Sequence, residues 1–334
     1  MTRVLVNSNG KAFTTSNNRV LSSSGITPSG SISITENDTY DVTNYASAVV
    51  NVSGGGESVI ETPYEITNGV ISIADGADGF SFILPREVTR IAPNTFANAF
   101  EGWQNLKNAD LSSLEEVYES GLAVAFSGNQ ISSVLLPNLI TVGAYGLSGT
   151  FSGNKITSVS LPNLMTVDEY GLAQAFADNF DQDTDLETIQ SIDLPFLEEV
   201  GNYGLYQTFT RTQLTSVLLP SLRILGDFGL AWAFANSYQI TSASFPSLRV
   251  VGANGLDMTF AYNDTLQTVS FGALTSNSFE SGDESAFNSM LYNDEDVTVH
   301  FPSNLQAVIG NWQSVSDGFG GTNTTILFDL PATE

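Results

Sequence analysis

The sequence predicts an α/β repeat fold: a solenoid with one short parallel strand and one short helical turn in each coil. Six copies of a degenerate repeat predict it, and they begin at Leu111, Leu136, Leu161, Leu194, Leu219 and Phe245. These starts lie 25 or 26 residues apart, except for one interval of 33 residues. A period of this size is typical of a solenoid, in which each coil buries its apolar stripe against its neighbours. Weaker copies at Leu84 and Phe271 are expected for the end coils.

The first half of each repeat predicts the strand. In residues 156 to 161, ITSVSL, the apolar Val159 and Leu161 alternate with Ser158 and Ser160. This two-residue alternation is typical of a strand with one buried face. A proline follows at Pro162 and ends the strand, because it cannot donate a backbone hydrogen bond to a ladder.

The second half of each repeat predicts the helical turn. The motif is Gly-Leu-x-x-x-Phe, as in Gly171, Leu172 and Phe176. A spacing of four residues places leucine and phenylalanine on one face of a helical turn. We therefore expect this turn to form the outer wall of the coil.

The pattern of Leu-Pro-x-Leu, Val, Gly-Leu and Ala-Phe resembles the BspA-like (Treponema-type) leucine-rich repeat. The resemblance implies a leucine-rich-repeat solenoid, which is a recognition scaffold without one particular partner. That family usually has a cysteine shortly after Ala-Phe, whereas this chain has Asn129, Asn154, Thr212 and Asn263 there. We expect these small polar side chains to satisfy turn backbone groups instead.

Residues 31 to 53, SISITENDTYDVTNYASAVVNVS, resemble a short module of tail, fibre and other structural proteins of bacteriophages of Gram-positive hosts. The module usually has glycine where this chain has Asp38. The predicted organisation is a polar arm at 1–30 for particle attachment or oligomerisation, a small β module at 31–53, a glycine hinge at 54–56, a β-hairpin cap at 57–83, the solenoid at 84–296 and a C-terminal β cap at 297–334.

The charge of the chain excludes some partners. With 36 acidic and 10 basic residues, the net charge is −26. Such a surface repels phosphate backbones, so we expect no nucleic-acid partner. We also expect no membrane insertion and no signal peptide, because no apolar stretch is long enough for either. The absence of cysteine excludes disulfides and thiolate metal sites.

Catalytic motifs are missing from the sequence. His300, the single histidine, lies in an alternating strand pattern and is interpreted as a packed or surface residue. No serine has a nucleophile-elbow context, and no phosphate-binding glycine loop is present. The sequence does not exclude the paired carboxylates of a glycosidase, because 36 acidic residues offer many pairs. We predict that the chain is not an enzyme.

One acidic insertion is a candidate metal site. The 33-residue repeat carries Asp181, Asp183, Asp185 and Glu187, whose alternate spacing presents hard oxygen ligands suited to calcium. The glycine and the final glutamate of an EF-hand loop are missing. Two interpretations stay open, a calcium site and a solvated acidic loop. Apart from calcium, we predict no cofactor.

Two sets of residues are candidate binding surfaces. The outward face of the predicted sheet is rich in hydroxyls and includes Ser133, Ser158, Ser160, Ser191, Asp193, Ser216, Ser242 and Ser244. This set would suit a glycan or a flat protein surface. The second set is an aromatic ladder in successive coils, Tyr145, Tyr170, Tyr203 and Phe228. We favour a packing role for the ladder, with a sugar-stacking strip as the alternative.

Together these features predict a bacteriophage virion structural protein, a head or tail fibre or spike, that displays the solenoid for adhesion to a host-cell surface protein or glycan. Its expected location is the virion surface, after synthesis in the host cytoplasm. Residues 1–53 would bind other virion proteins, and we expect a homo-oligomer, specifically a trimer. The alternative is a bacterial BspA-like surface or secreted adhesin. A glycan-degrading enzyme is the third hypothesis.

Overall fold

The computed structural model describes residues 31–34, 39–41, 47–52, 57–61, 70–72, 80–84, 89–91, 93–98, 100–102, 106–181, 186–279 and 284–332. It is a parallel β-solenoid of about nine coils with little helix. The predicted repeat architecture is therefore confirmed at the level of a solenoid with parallel strands.

The described residues of the N-terminal part form five strands. They are β1 (Ser31–Ile34), β2 (Thr39–Asp41), β3 (Ser47–Val52), β4 (Glu57–Glu61) and β5 (Val70–Ser72). β3 pairs parallel with β1 and antiparallel with β4, and β2 pairs antiparallel with β5. These sheets cross the boundary predicted at residues 54–56. The hinge itself, the arm at 1–30 and residues 62–69 and 73–79 of the predicted hairpin cap lie outside the described residues.

The solenoid strands follow in chain order. They are β6 (Phe80–Ile83), β7 (Arg90–Ile91), β8 (Leu106–Asp110), β9 (Glu116–Val117), β10 (Ser133–Leu135), β11 (Thr141–Val142), β12 (Ser158–Ser160), β13 (Thr166–Val167), β14 (Phe180–Asp181), β15 (Leu186–Glu187), β16 (Ser191–Asp193), β17 (Glu199–Val200), β18 (Ser216–Leu218), β19 (Ile224–Leu225), β20 (Ser242–Phe245), β21 (Val250–Val251), β22 (Thr268–Phe271), β23 (Thr298–Pro302) and β24 (Thr325–Leu330).

Each full coil has two strands rather than the one predicted. The longer strands form one wall that we call face A. They pair in three groups: β6, β8 and β10; β12 and β16; and β18, β20, β22, β23 and β24. The two-residue strands β7, β9, β11, β13, β17, β19 and β21 form a continuous parallel sheet that we call face B. The second strand escaped prediction because two residues are too few to show alternation.

A turn face closes each coil, and the helical turn predicted there is not found. The backbone instead makes linked β-turns. The N–H groups of Gly121 and Ala125 donate to carbonyls three residues back, whereas those of Leu122 and Phe126 donate to the next coil. Positive φ angles recur every four residues, as at Ser120 (52°) and Val124 (58°). The linked β-turns also repeat after four residues, so leucine and phenylalanine still point to one side. The spacing of these two residues therefore fits both an α-helical turn and the linked β-turns.

The glycine of the Gly-Leu motif is required by close packing against the preceding face B strand. A Cβ on Gly171 would lie 2.8 Å from Cγ1 of Val167, and one on Gly204 would lie 2.7 Å from Cγ1 of Val200. These separations are below van der Waals contact. Any side chain at this position would therefore push the turn face away from face B.

One hydrophobic core runs the length of the solenoid, from Leu84 to Phe319. Its axis is a stack of buried phenylalanine rings, one from each coil. Successive ring centroids lie 5.2 to 5.8 Å apart with interplanar angles of 14° or less, for the residues Phe100, Phe126, Phe151, Phe176, Phe209, Phe234 and Phe260. Stacking between neighbouring coils supplies the apolar burial that a single coil lacks.

A column of buried polar side chains accompanies the phenylalanines, three residues after each of them from Phe126 onward. Asn154 Nδ2 donates to the carbonyl of Phe126 at 2.8 Å, and Asn154 Oδ1 accepts from the N–H of Ile131 at 3.0 Å. Asn179 and Asn263 bridge coils in the same way. The expectation that small polar residues satisfy backbone groups here is confirmed.

Helix occurs in the C-terminal region. It comprises α1 (Gln306–Ile309), α2 (Gln313–Ser316) and 3₁₀ turns at Glu284–Phe287, Ser303–Leu305 and Gly318–Gly320. These segments pack beside β23 and β24, which extend face A beyond the last full coil. Within the described ranges, no helix is long and apolar enough to cross a membrane.

Candidate functional site

Face A presents the predicted hydroxyl-rich columns to solvent. Ser133, Ser158, Ser160, Ser191, Asp193 and Ser216 are exposed, and Ser242 and Ser244 are half-buried. Parallel pairing aligns them, because Ser158 lies opposite Ser191 and Ser160 opposite Asp193. The columns also include Leu135 and Leu218, which are 54% and 57% exposed. Leu327 of β24 is 37% exposed on the same face. In its described part, face A is thus a surface of small polar side chains with three exposed leucines.

The aromatic ladder forms on the turn face. The ring centroids of Tyr145 and Tyr170 lie 4.9 Å apart, those of Tyr170 and Tyr203 4.6 Å, and those of Tyr203 and Phe228 4.8 Å, with interplanar angles of 9° or less. These separations equal the spacing of adjacent strands. The inner rings therefore cover one another's faces, and a ligand can reach only their edges.

The ladder residues adopt a strained backbone conformation. All four have φ between 52° and 56°. Large side chains rarely adopt this left-handed region, which costs roughly 1–2 kcal/mol per residue. Stacking offsets part of that cost, since each aromatic pair contributes about 0.5–1.5 kcal/mol beyond burial.

A double-mutant cycle on Tyr170 and Tyr203 measures this stacking. Serine occupies the same turn-face position at Ser120, so serine is the replacement that the backbone accepts. We expect Tyr170→Ser and Tyr203→Ser to be coupled by about 0.5–1.5 kcal/mol in urea unfolding. The pair Tyr145→Ser and Phe228→Ser, which are not in ring contact, should be additive. Coupling of equal size in both pairs would contradict the stacking role.

Two depressions lie side by side on the turn face. The first, which we call the aromatic depression, has a volume of about 360 Å³ and is lined by Tyr170, Tyr203, Tyr206, Phe228, Ala231, Trp232 and Asp257. The second, the amide depression, has a volume of about 330 Å³ and is lined by Ser152, Gln174, Ala177, Asp178, Gln207, Thr210, Arg211, Trp232 and Asn236. Trp232 lines both, so its indole separates them. These volumes fall at the lower end of the range for ligand pockets.

The stacking of coils assembles both depressions from several repeats. The N–H of Gln207 donates to the carbonyl of Ala231 at 3.1 Å, and the N–H of Trp232 donates to the carbonyl of Asp257 at 3.0 Å. Residues at one turn-face position therefore form columns along the solenoid. Tyr206, Ala231 and Asp257 make one such column, and the small Ala231 leaves a gap between the two larger side chains.

Charge is balanced differently in the two depressions. In the amide depression, Arg211 Nη1 lies 3.6 Å from Asp178 Oδ1, so the two charges offset each other. In the aromatic depression, burial raises the pKa of Asp257, while a hydrogen bond from Asn288 Nδ2 at 3.2 Å lowers it. Burial also raises the pKa of Tyr170, as do the neighbouring tyrosines and Glu169. The aromatic depression therefore holds one partly desolvated carboxyl group.

A third depression, of about 490 Å³, follows face B beside its junction with the turn face. Its lining consists of the exposed edges of short strands and glycines, including Thr141, Gly143, Thr166, Gly201 and Gly226. Tyr118 stands at one end, where its hydroxyl donates to Glu116 Oε2 at 2.7 Å. This hydrogen bond raises the pKa of Tyr118. Asp168, Glu199 and Ile224 also line this depression.

The acidic insertion is only partly described. Asp181 and Glu187 lie in the two strands of a short antiparallel hairpin, β14 and β15. Asp183 and Asp185 lie outside the described residues, so the calcium site stays a prediction. Elsewhere in the described chain, no group of three or more acidic, histidine or cysteine residues is placed to hold a metal ion.

His300 pairs with Asp329 across β23 and β24, with Nδ1 2.9 Å from Asp329 Oδ1. Ser270 lies opposite His300 in the sheet, but its hydroxyl donates to Ser244 Oγ at 2.9 Å. His300 is 25% exposed and Asp329 is 50% exposed. The pair lies on the open outer side of face A.

Several residues that line the depressions are not among the site residues predicted from the sequence. Tyr206 and Trp232 follow their ladder residues by three and four positions, where other repeats carry small residues such as Ala173 and Gly149. The sequence signal that marks these two residues is a large aromatic side chain at a position that varies between repeats. Gln174, Gln207 and Asp257 carry no comparable signal, because polar residues are common on any solvated face.

The fold defines the class of this protein as a parallel β-solenoid. No family model matches the chain, and no curated protein matches it. A solved structure, the pneumococcal vaccine antigen PcpA, aligns over 89% of this chain and 98% of its own length, with 13% identity and a TM-score of 0.18. A similarity this low supports no conclusion about fold or function.

Proposed function

We propose that this chain is a bacteriophage virion structural protein, a fibre or spike, whose BspA-like leucine-rich-repeat solenoid adheres to the host-cell surface. One observation carries the adhesive part of this proposal: within each of the three strand groups of face A, parallel pairing aligns exposed side chains of successive coils into columns. A partner can therefore be contacted by several coils at once. Solenoids commonly use such extended surfaces for recognition.

The N-terminal strands support the virion part of the proposal. The segment that resembles phage structural modules contains β1, β2 and β3, and these pair with β4 and β5 rather than ending at residue 53. We therefore extend the attachment region from residues 1–53 to about residue 79, just before the first solenoid strand. In this proposal the region binds other virion proteins and assembles a homo-oligomer, with a trimer expected.

A bacterial surface or secreted adhesin is the second candidate function. The same exposed columns support it, because they would serve recognition equally on a phage particle and on a bacterial surface. The two candidates differ in where the chain is found. Antibody against the solenoid should label phage particles released from the producing culture if the virion proposal is right, and the bacterial surface if the adhesin proposal is right.

Light scattering tests the attachment region directly. We expect the full chain to be an oligomer and a variant beginning at Phe80 to be a monomer, because the variant lacks all five N-terminal strands. Both proteins should bind whole Gram-positive cells, since adhesion is assigned to the solenoid. A cut at Glu57 is a poorer test, because it separates β4 from its partner β3. Monomers in both cases, together with no cell binding, would overturn the proposal.

A further inference from the structure

We infer that the aromatic and amide depressions form one binding site for a neutral oligosaccharide, with Trp232 between two sugar positions. This inference rests on the proposed function, since it names the class of ligand that the solenoid recognises. It assigns recognition to the turn face rather than to the hydroxyl columns of face A.

The aromatic depression lies where a small residue interrupts a column of larger side chains on the turn face. Ala231 lies between Tyr206 and Asp257 in their column, and it is 1% exposed, so it forms the floor. Phe228 and Trp232 also line the depression. A sugar ring can enter this gap with its C–H surface against the aromatic rings, and Asp257 can accept a hydrogen bond from a hydroxyl.

The amide depression supplies the polar contacts. Gln174 Nε2 donates to Gln207 Oε1 at 2.7 Å, which orients both amide groups across neighbouring coils. Primary amides offer two donors and one acceptor, so the pair matches hydroxyl groups that both donate and accept. Thr210, Arg211 and Asn236 surround the pair. An apolar wall with a few placed polar groups is the usual composition of a small-molecule site.

Trp232 is half-buried and differs from the inner ladder residues in its ring contacts. Among the described residues its one ring neighbour is Tyr262, whose centroid is 6.5 Å away. The inner ladder rings have neighbours within 4.9 Å on both sides. A tryptophan side chain combines a large apolar surface with little conformational entropy to lose on binding. The indole is therefore the residue best placed to stack on a sugar.

Charge selects a neutral ligand. The chain has a net charge of −26, and its field opposes polyphosphates and acidic polysaccharides. Locally, Arg211 is offset by Asp178. Asp257 adds a further acidic group to the aromatic depression. The overall field and Asp257 would therefore repel an anionic ligand, whereas the hydroxyl groups of a neutral ligand would find donors and acceptors in both depressions.

Titration of the full chain tests the inference, with chitotetraose, cellotetraose and maltotetraose as neutral probes and dextran sulfate as the anionic probe. Saturation-transfer NMR detects binding, and Trp fluorescence gives the affinity. We expect at least one neutral probe to bind and Trp232→Gly to weaken it by tenfold or more. Trp232 has φ 59°, and Gly149 occupies the same turn-face position at φ 61°, so glycine suits the backbone. Gln207→Gly should also weaken binding.

Val124→Gly is the matched control, because Val124 holds the same turn-face position at φ 58° and lines neither depression. It should leave the affinity unchanged. Leu218→Ser tests face A and should also have no effect. The inference is overturned if no neutral probe binds, if dextran sulfate binds instead, or if Leu218→Ser weakens binding while Trp232→Gly does not.

The failure of this inference and of the proposed function can be told apart. Neutral sugars that bind at Trp232 of a chain absent from phage particles would leave the site intact and favour the adhesin. A chain that is found on particles and adheres to cells, but binds no neutral probe, would retain its proposed function and lose this site.

Discussion

Replacement of Asp294 by asparagine is expected to stabilise the protein at neutral and alkaline pH. Asp294 is fully buried at the end of the polar column that contains Asn263. Burial raises its pKa from 3.8 to about 8, against the opposing effect of the N–H of Asn263, which donates to Asp294 Oδ1 at 2.6 Å; nearby Asp264 raises it further. Asp294 Oδ2 has no hydrogen-bond partner. A neutral Asp294 resembles the asparagines of the other coils.

The direction of the pH dependence follows from this raised pKa. Below about pH 4 the folded and unfolded states both hold the proton. From there to about pH 8 only the folded state retains it, so the wild type loses stability as the pH rises through this window. Asparagine does not titrate, and we expect Asp294→Asn to gain on the order of 3 kcal/mol at pH 7 and to remove this slope.

Urea unfolding at pH 4, 6 and 8 measures the effect. Asp264→Asn is the control, because its carboxyl group is exposed and perturbs Asp294 only from a distance. The control should keep most of the wild-type slope. If Asp294→Asn is no more stable than the wild type at pH 8, then Asp294 is not protonated in the folded state.

Replacement of Asn154 by alanine is expected to destabilise the solenoid by about 3–5 kcal/mol, because it leaves buried backbone groups unpaired. Asn154 donates to the carbonyls of Phe126 and Ser152 at 2.8 and 3.2 Å, and it accepts from the N–H of Ile131 at 3.0 Å. Asn154 itself is 1% exposed. Water cannot replace these partners without opening two coils.

Asn163→Ala is the matched control for Asn154→Ala. Asn163 also donates to a backbone carbonyl of the preceding coil, that of Pro137 at 2.7 Å, but this bond is exposed. Its loss should cost at most about 1 kcal/mol, because water replaces it. Asn154→Thr should fall between the two, since Thr212 fills the equivalent position of another coil. Equal losses from Asn154→Ala and Asn163→Ala would show that burial of the polar column adds nothing.

The strand, the core and the polar column follow from short-range sequence signals. Val159 alternates with Ser158 and Ser160 on adjacent positions, and the structure buries the first and exposes the others. The recurrence of Leu172 and Phe176 in each repeat likewise predicts their burial. These features depend only on which side of the chain a residue occupies, and a periodic pattern contains that information.

The predicted helical turn is not confirmed, because the described coils form a ladder of β-turns in its place. Both an α-helical turn and a ladder of β-turns bring residues four apart to the same side, so the Leu-x-x-x-Phe spacing cannot separate them. The difference lies in the hydrogen bonds. Those of Leu122 and Phe126 reach the next coil, and this choice depends on a neighbour that lies a whole repeat away in sequence.

One part of the candidate site follows from the sequence, and the other part follows only from the stacking of coils. The exposed columns of face A were predicted, because each strand shows its own outward residues. The depressions beside Trp232 were not, because Tyr206, Trp232 and Asp257 belong to three successive coils and meet only after stacking. The sequence by itself thus determined the repeat, its core and its charge, which are local or summed properties. Tertiary structure alone decided the turn geometry, the second strand and the site, because contacts between coils create them.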